Sequence, residues 1–191
     1  MTDRLATYIR DHLSGSCFAV ELLEWLRDQH PQKHLGEFAA GMLSEIEDDR
    51  HVLEDALARM DDGAPLVREA ASWVAGKRKG CGAHRHACQD LLRAALRFAR
   101  LPQEAAEFKL RPGPFGTFEA LDLLALSILG KLKIWEAMAK IAQKDNRIRG
   151  IDFNKLAARA RLQHVQVEER RLEAIQYAFA GVAEPHAPIP G

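Results

Sequence analysis

SEIEDDRHVLEDAL, residues 44–57, has the composition of a highly charged helix. It carries six acidic residues in fourteen positions, and Asp48 stands three residues before His51. At about 100° per residue, the apolar stripe of a helix through this stretch includes Asp49 but leaves Asp48 and His51 on the opposite side. We therefore expect the Asp48 and His51 pair to face solvent. A lone carboxylate in the stripe needs a partner, so Asp49, flanked one turn earlier by Glu45, is predicted to lie in a polar site inside the protein.

The spacing of apolar residues along the whole chain predicts an all-α protein. Ala, Leu, Glu and Arg are abundant, β-branched residues are sparse, and apolar residues recur every three or four positions. Four long helices are predicted at about residues 3–29, 35–60, 117–143 and 152–180, numbered helix 1 to helix 4. Short connections within the first pair and within the second pair predict two antiparallel hairpins.

The two predicted hairpins are joined by a long crossover. It spans residues 64–114 and holds two shorter predicted helices with a basic, glycine-containing loop between them. We expect one domain over residues 1–183, because a chain of this length can build one sizeable core. The proline-rich tail at 184–191 is predicted to be flexible.

Charge and composition argue against several classes of function. Lys and Arg number 27, as do Asp and Glu, so nothing in the balance favours nucleic acid as a partner. No apolar run reaches the roughly 18 residues of a membrane span, and no apolar leader opens the chain, so no membrane partner is expected. The three cysteines do not suit a disulfide framework, which predicts a cytoplasmic location. Hydrolase, dehydrogenase and phosphate-loop motifs are missing from the sequence.

Helices 2 and 4 are similar to each other. SEIEDDRHVLEDAL and QHVQVEERRLEAIQYA, residues 163–178, align when Leu53 is set over Leu172, which places Asp49 over Glu168. With this repeat and its two hairpins joined by a long crossover, the chain resembles the ferritin-like superfamily. The resemblance implies a four-helix bundle with a di-metal centre, in which helices 1 and 3 each supply a carboxylate and helices 2 and 4 each supply Glu-x-x-His.

The sequence departs from that metal-binding pattern. Helix 2 reads Asp49-x-x-Val52 and helix 4 reads Glu168-x-x-Arg171, while helices 1 and 3 offer no acid at mid-length. We predict instead a metal-free central layer, in which Lys and Arg neutralise the acids. Its predicted members are His12, Glu45, Asp49, Lys131, His164, Glu168 and Arg171, with Arg161, Ser16 and Ser127 at its edges.

Two metal sites remain as alternative predictions. The first, suited to Fe, Mn or Zn, would make the protein a divergent di-iron-type oxidoreductase and would use His12, Glu45, Asp49, His164 and Glu168. The second is a zinc site in the crossover loop, formed by Cys81, His84, His86 and Cys88. Because this spacing matches no standard zinc finger, a mobile basic loop is the competing interpretation.

Helix 1 carries a second apolar line, formed by Phe18, Leu22 and Trp25. Either the crossover covers this line or another subunit does, so a homodimer through helix 1 is one prediction. The preferred function is a structural or partner-binding role without a cofactor. The sequence identifies neither a ligand nor a reaction.

Overall fold

The computed structural model describes residues 3–60 and 110–179, and within these two ranges it contains helices and no strand. The all-α prediction is therefore confirmed for this part of the chain. The four helices are α1 at Arg4–Gln29, α2 at His34–Ala58, α3 at Pro114–Ile141 and α4 at Phe153–Phe179. A short 3-10 turn at Asn146–Ile148 lies between α3 and α4. The predicted crossover helices, the loop with Cys81, His84, His86 and Cys88, and the tail at 184–191 lie outside the described residues.

The helix ends follow from their capping residues. The Asp3 carboxylate accepts a hydrogen bond from the backbone N–H of Leu5 at 2.9 Å and so caps the start of α1. Asp152 caps α4 in the same way, through the N–H of Lys155 at 3.0 Å. Helix α3 begins three residues earlier than predicted, because Pro114 occupies the first turn, where its missing N–H is no loss.

Thr117 therefore lies inside α3 instead of capping it. Its hydroxyl contacts the His30 Nε2 atom at 2.9 Å in a buried hydrogen bond. His30 is the residue that ends α1, so this bond joins the end of α1 to the start of α3.

The packing of the helices defines two hairpins that lie side by side. Helix α1 packs along α2, α3 packs along α4, and α1 also packs against α3. The α2 and α4 backbones approach each other far less closely than these pairs do. In the described part of the chain no helix has both the length and the apolar character needed to cross a bilayer.

The buried apolar side chains form two separate clusters along the bundle. One contains Ala19, Ile46, Ile128 and Val167, together with the residues around Leu26. The other contains Leu13, Leu53, Leu132 and Ala160, together with Trp135 and Phe153. Each helix therefore passes from one cluster to the other at its mid-length, and the site described below lies at that level.

The second apolar line of α1 is largely part of the core. Leu22 is only 1% exposed within the chain. Phe18 and Trp25 are half-buried and pack against the same cluster. A homodimer through α1 stays a prediction.

We expect Gly36→Ala to destabilise the protein and Gly41→Ala to leave it intact. A Cβ at Gly36 would lie 2.1 Å from the carbonyl oxygen of His30, whereas a Cβ at Gly41 meets nothing within 4 Å. The clash should lower the free energy of unfolding by about 1–3 kcal/mol. Gly41→Ala should raise it by up to about 1 kcal/mol, because alanine is the better helix former. Urea denaturation measures both, and equal stability of the two variants would contradict the close approach of α1 and α2.

Candidate functional site

A buried carboxylate lies at the centre of the bundle. Asp49 on α2 is 1% exposed, and each of its oxygens accepts a hydrogen bond from a cation. Lys131 on α3 donates to Oδ2 at 2.5 Å, and Arg159 on α4 donates to Oδ1 through Nη2. The structure therefore pairs Asp49 with Lys131, two of the residues predicted for the central layer. Asp48 and His51 are exposed, as expected.

The hydrogen bonds continue from Lys131 through an amide to a second acid. The Lys131 ammonium also donates to the Gln163 Oε1 atom, and the Gln163 Nε2 atom donates to Glu45 at 2.6 Å. We call Glu45, Asp49, Lys131, Arg159 and Gln163 the polar layer. It contains two carboxylates and two fixed cations, so it is electrically neutral without any further ion.

Helical spacing explains how these residues meet. Glu45 and Asp49 are four residues apart on α2, and Arg159 and Gln163 are four residues apart on α4, so each pair lies on one face of its helix. The backbones of α2 and α4 are less closely packed than those of the other neighbouring helices. The long side chains of Arg159 and Gln163 span the distance between these two helices. Lys131 reaches the same level from α3.

Burial makes the charge of Lys131 depend on its partner. Removal from water lowers the pKa of the Lys131 ammonium, and the neighbouring Arg159 lowers it further. The charge and the hydrogen bond of Asp49 oppose this effect, with a smaller contribution from Glu45. The ammonium is thus held by the carboxylate that it neutralises.

The alignment of helix 4 with helix 2 does not give the buried face of the second half of α4. The buried face of α4 consists of Phe153, Ala157, Ala160, Gln163, Val167 and Ala174. Leu172, which the repeat sets over the buried Leu53, is 54% exposed. The alignment with helix 2 placed Glu168 toward α2, but Glu168 lies on a different face of α4 from the residues that contact α2. The alignment failed because several large apolar residues lie on the outside of α4 and mostly smaller ones lie inside.

Glu168 and Arg171 form their own pair, away from the polar layer. The Arg171 guanidinium donates to Glu168 at 2.8 Å, which lowers the pKa of that carboxyl, and it also contacts Asp122 at 3.3 Å. Asp122 precedes Lys131 by nine residues, a distance of about 13 Å along a helix. Arg161 is exposed and pairs with Glu136 at 2.7 Å. These residues therefore belong to the surface of the α3–α4 hairpin.

Among the described residues, neither of the two predicted histidines forms a hydrogen bond with the polar layer. His12 lies half-buried on α1 with its ring edge-on to Tyr8 at 4.7 Å between centroids. Burial lowers the pKa of His12, which favours the neutral imidazole. His164 is the neighbour of the buried Gln163 and is itself only partly buried. Gln163 and Arg159 were missed, although Gln163 stands three residues after Ala160 and four before Val167, on the stripe of small residues.

The residues present do not fit a di-metal centre. Within residues 3–60 and 110–179, no three His, Cys, Asp or Glu side chains are arranged to hold a metal ion. The carboxylate best placed for a metal, Asp49, already accepts from Lys131 and Arg159, and these cations would repel a dication. The five residues of the first alternative, His12, Glu45, Asp49, His164 and Glu168, are thus not brought together as a ligand set.

A cavity of about 390 Å³ lies beside the polar layer, between α1, α2 and α3. Asp49 and Lys131 form part of its wall, and His12, Ser16 and Ser127 line it as well. Apolar side chains make most of the remaining wall, among them Phe18, Ile46, Leu53, Ile128, Ile134 and Trp135. Its volume and its mixture of apolar wall with a few polar groups are typical of small-molecule sites.

We expect Lys131→Met to destabilise the protein strongly and Lys133→Met to change its stability little. Loss of Lys131 removes one partner of a buried ion pair, a change that costs roughly 3–5 kcal/mol in general. The loss should fall near the lower end because Arg159 still neutralises Asp49. Lys133 is exposed on the same helix and serves as the matched control. Urea denaturation at neutral pH checks this, and equal stability of the two variants would show that Asp49 does not depend on Lys131.

Comparison with known proteins gives this geometry no precedent to draw on. No protein-family model, curated protein or solved structure matches the chain. The function has to be argued from the polar layer and the cavity themselves.

Proposed function

We propose that this protein is a ferritin-like four-helix bundle that works without a metal and serves as a binding protein. Two antiparallel hairpins, with α1 against α3 and α2 facing α4, support the ferritin-like assignment. So does the position of the polar layer, which lies at mid-bundle, where the resemblance would put two metals. The assignment extends to the described helices only.

The observation that carries the proposal is the saturation of Asp49. Both of its oxygens accept from fixed cations of the protein, one from α3 and one from α4. A carboxylate held in this way has its charge compensated and has little to offer a metal ion. In a di-metal protein the ions supply that compensation, and here Lys131 and Arg159 supply it instead.

The cavity supports binding over a purely structural role. Protein interiors are packed as densely as organic crystals, so a bundle that served only as a scaffold would have no reason to keep a cavity of about 390 Å³ between three of its helices. The cavity adjoins the polar layer, which forms one of its walls. Buried ion pairs contribute little net stability, so we infer that the layer is retained to hold a polar wall and to set the register of α2 against α4.

The metal content of the purified protein tests the first part of the proposal. We expect elemental analysis of protein prepared without chelators to find no stoichiometric Fe, Mn or Zn in the wild type, in Asp49→Ala or in Asp48→Ala. Asp48 is the exposed neighbour on the same turn of α2, so its variant controls for surface binding. One or two equivalents of metal in the wild type and in Asp48→Ala, lost in Asp49→Ala, would overturn the proposal in favour of the metal-dependent alternative.

A further inference from the structure

We propose that the cavity binds a small organic anion, a carboxylate carried on an apolar body. This inference rests on the proposed binding role and adds the chemical class of the ligand. It starts from two polar groups that line the cavity, Arg50 on α2 and Trp135 on α3, and that the polar layer does not use.

Arg50 is a buried cation for which the described residues provide no anion. Arg50 is the next residue after Asp49 in the sequence, and it is only 7% exposed. Arg50 takes part in none of the ion pairs found among the described residues, and its Nε atom is buried without a hydrogen-bond partner there. A buried charge is costly unless it is paired, so an arginine in this position indicates an anion that arrives from outside.

Trp135 adds a second hydrogen-bond donor that lacks an acceptor. The residue is 0% exposed, its ring stacks on Phe153 with 6.0 Å between centroids, and its Nε1 atom has no partner among the described residues. An indole N–H can only donate. Two open donors that line the same cavity, one of them cationic, are what a carboxylate accepts from.

The other polar groups of the cavity favour an anion over a cation. The Asp49 oxygens are taken by Lys131 and Arg159, and the Ser16 and Ser127 hydroxyls donate to carbonyl oxygens of their own helices. The one other acid of the wall, Asp11, is exposed at the rim. A cationic ligand would therefore meet no buried free carboxylate, while an anionic one would meet Arg50, Trp135 and the remaining N–H of Lys131.

Two glycines leave the space for the ligand's apolar body. Gly15 on α1 and Gly130 on α3 both line the cavity, and a Cβ built on either meets nothing within 4 Å. Glycine in a helix interior is less stable than alanine, so the absence of a side chain at both positions has no local benefit. It has the effect of keeping the cavity open between apolar walls such as Phe18 and Ile46.

Calorimetric titration with three probes of the same chain length tests the ligand class. We expect octanoate to bind the wild-type protein at one equivalent, octan-1-ol to bind at least about tenfold more weakly, and octylammonium not to bind. The ranking follows because a charge-assisted hydrogen bond is stronger than a neutral one and because Arg50 repels a cation.

Variants of the two donors test the position of the carboxylate. Arg50→Met and Trp135→Phe should each weaken octanoate binding by about tenfold to a hundredfold. In the absence of ligand, the Arg50→Met variant should be at least as stable in thermal unfolding as the wild type, because the substitution removes a buried charge that has no partner. An arginine with a purely structural role would instead give a less stable variant with unchanged octanoate affinity, and that result would overturn the proposal.

Filling the cavity provides a further test with a matched control. Gly130→Leu, and Gly15→Leu on the facing helix, should abolish octanoate binding, whereas Gly41→Leu, which adds the same side chain at an exposed helical position, should leave it unchanged. Octanoate binding that survives both cavity variants would show that the site lies elsewhere and would overturn the proposal.

The three probes also separate this inference from the proposed function. Equal binding of octan-1-ol and octanoate would overturn the anion class while leaving a binding cavity in place. Failure of all three probes to bind would overturn the inference and the proposed binding role together. The metal analysis of Asp49→Ala is independent of both outcomes, because it measures bound metal and not the affinity for an organic ligand.

Discussion

The interaction on which the rest of the structure depends is the neutralisation of Asp49. A carboxylate that is 1% exposed cannot remain ionised without compensation, and the bundle provides it from two helices at once, through Lys131 and Arg159. This requirement draws α3 and α4 to the same level of α2. The two apolar clusters of the core meet at that level, so the polar layer divides the interior of the bundle into two halves.

The polar layer also determines which groups around the cavity stay open. The hydrogen bonds of Asp49 go to Lys131 and Arg159, and none goes to Arg50, the next residue on α2. Arg50 and Trp135 then line the cavity without partners among the described residues. Asp49 is paired with two cations, whereas the neighbouring Arg50 has no anion among the described residues. This contrast between a paired carboxylate and an unpaired arginine is what suggests a ligand.

The resemblance to ferritin-like proteins takes on a physical meaning in these terms. A di-metal centre and a cluster of Lys, Arg and amide groups can perform the same electrostatic task, which is to allow acids to be buried between helices. They differ in what they leave for chemistry, since a metal ion supplies open coordination positions and a guanidinium does not. A binding role in an adjoining cavity is consistent with a polar layer whose charges are compensated by the protein itself.

Much of the fold followed from patterns within single segments. Large apolar residues on α2 and α3, such as Ile46, Leu53, Ile128 and Trp135, set the phase of each stripe without ambiguity, and Asp49 and Lys131 could be placed inside the stripes for the same reason. Beyond Phe153 the inward face of α4 is made of alanines, Gln163 and Val167, while Leu162, Val165 and Leu172 lie outside, so hydrophobicity was a poor guide to this part of the helix. Which side chains meet Asp49 depends on the rotation of α4 and on its distance from α2. Both are set by how small residues allow helices to pack, and the period of a single helix contains no information about its neighbour.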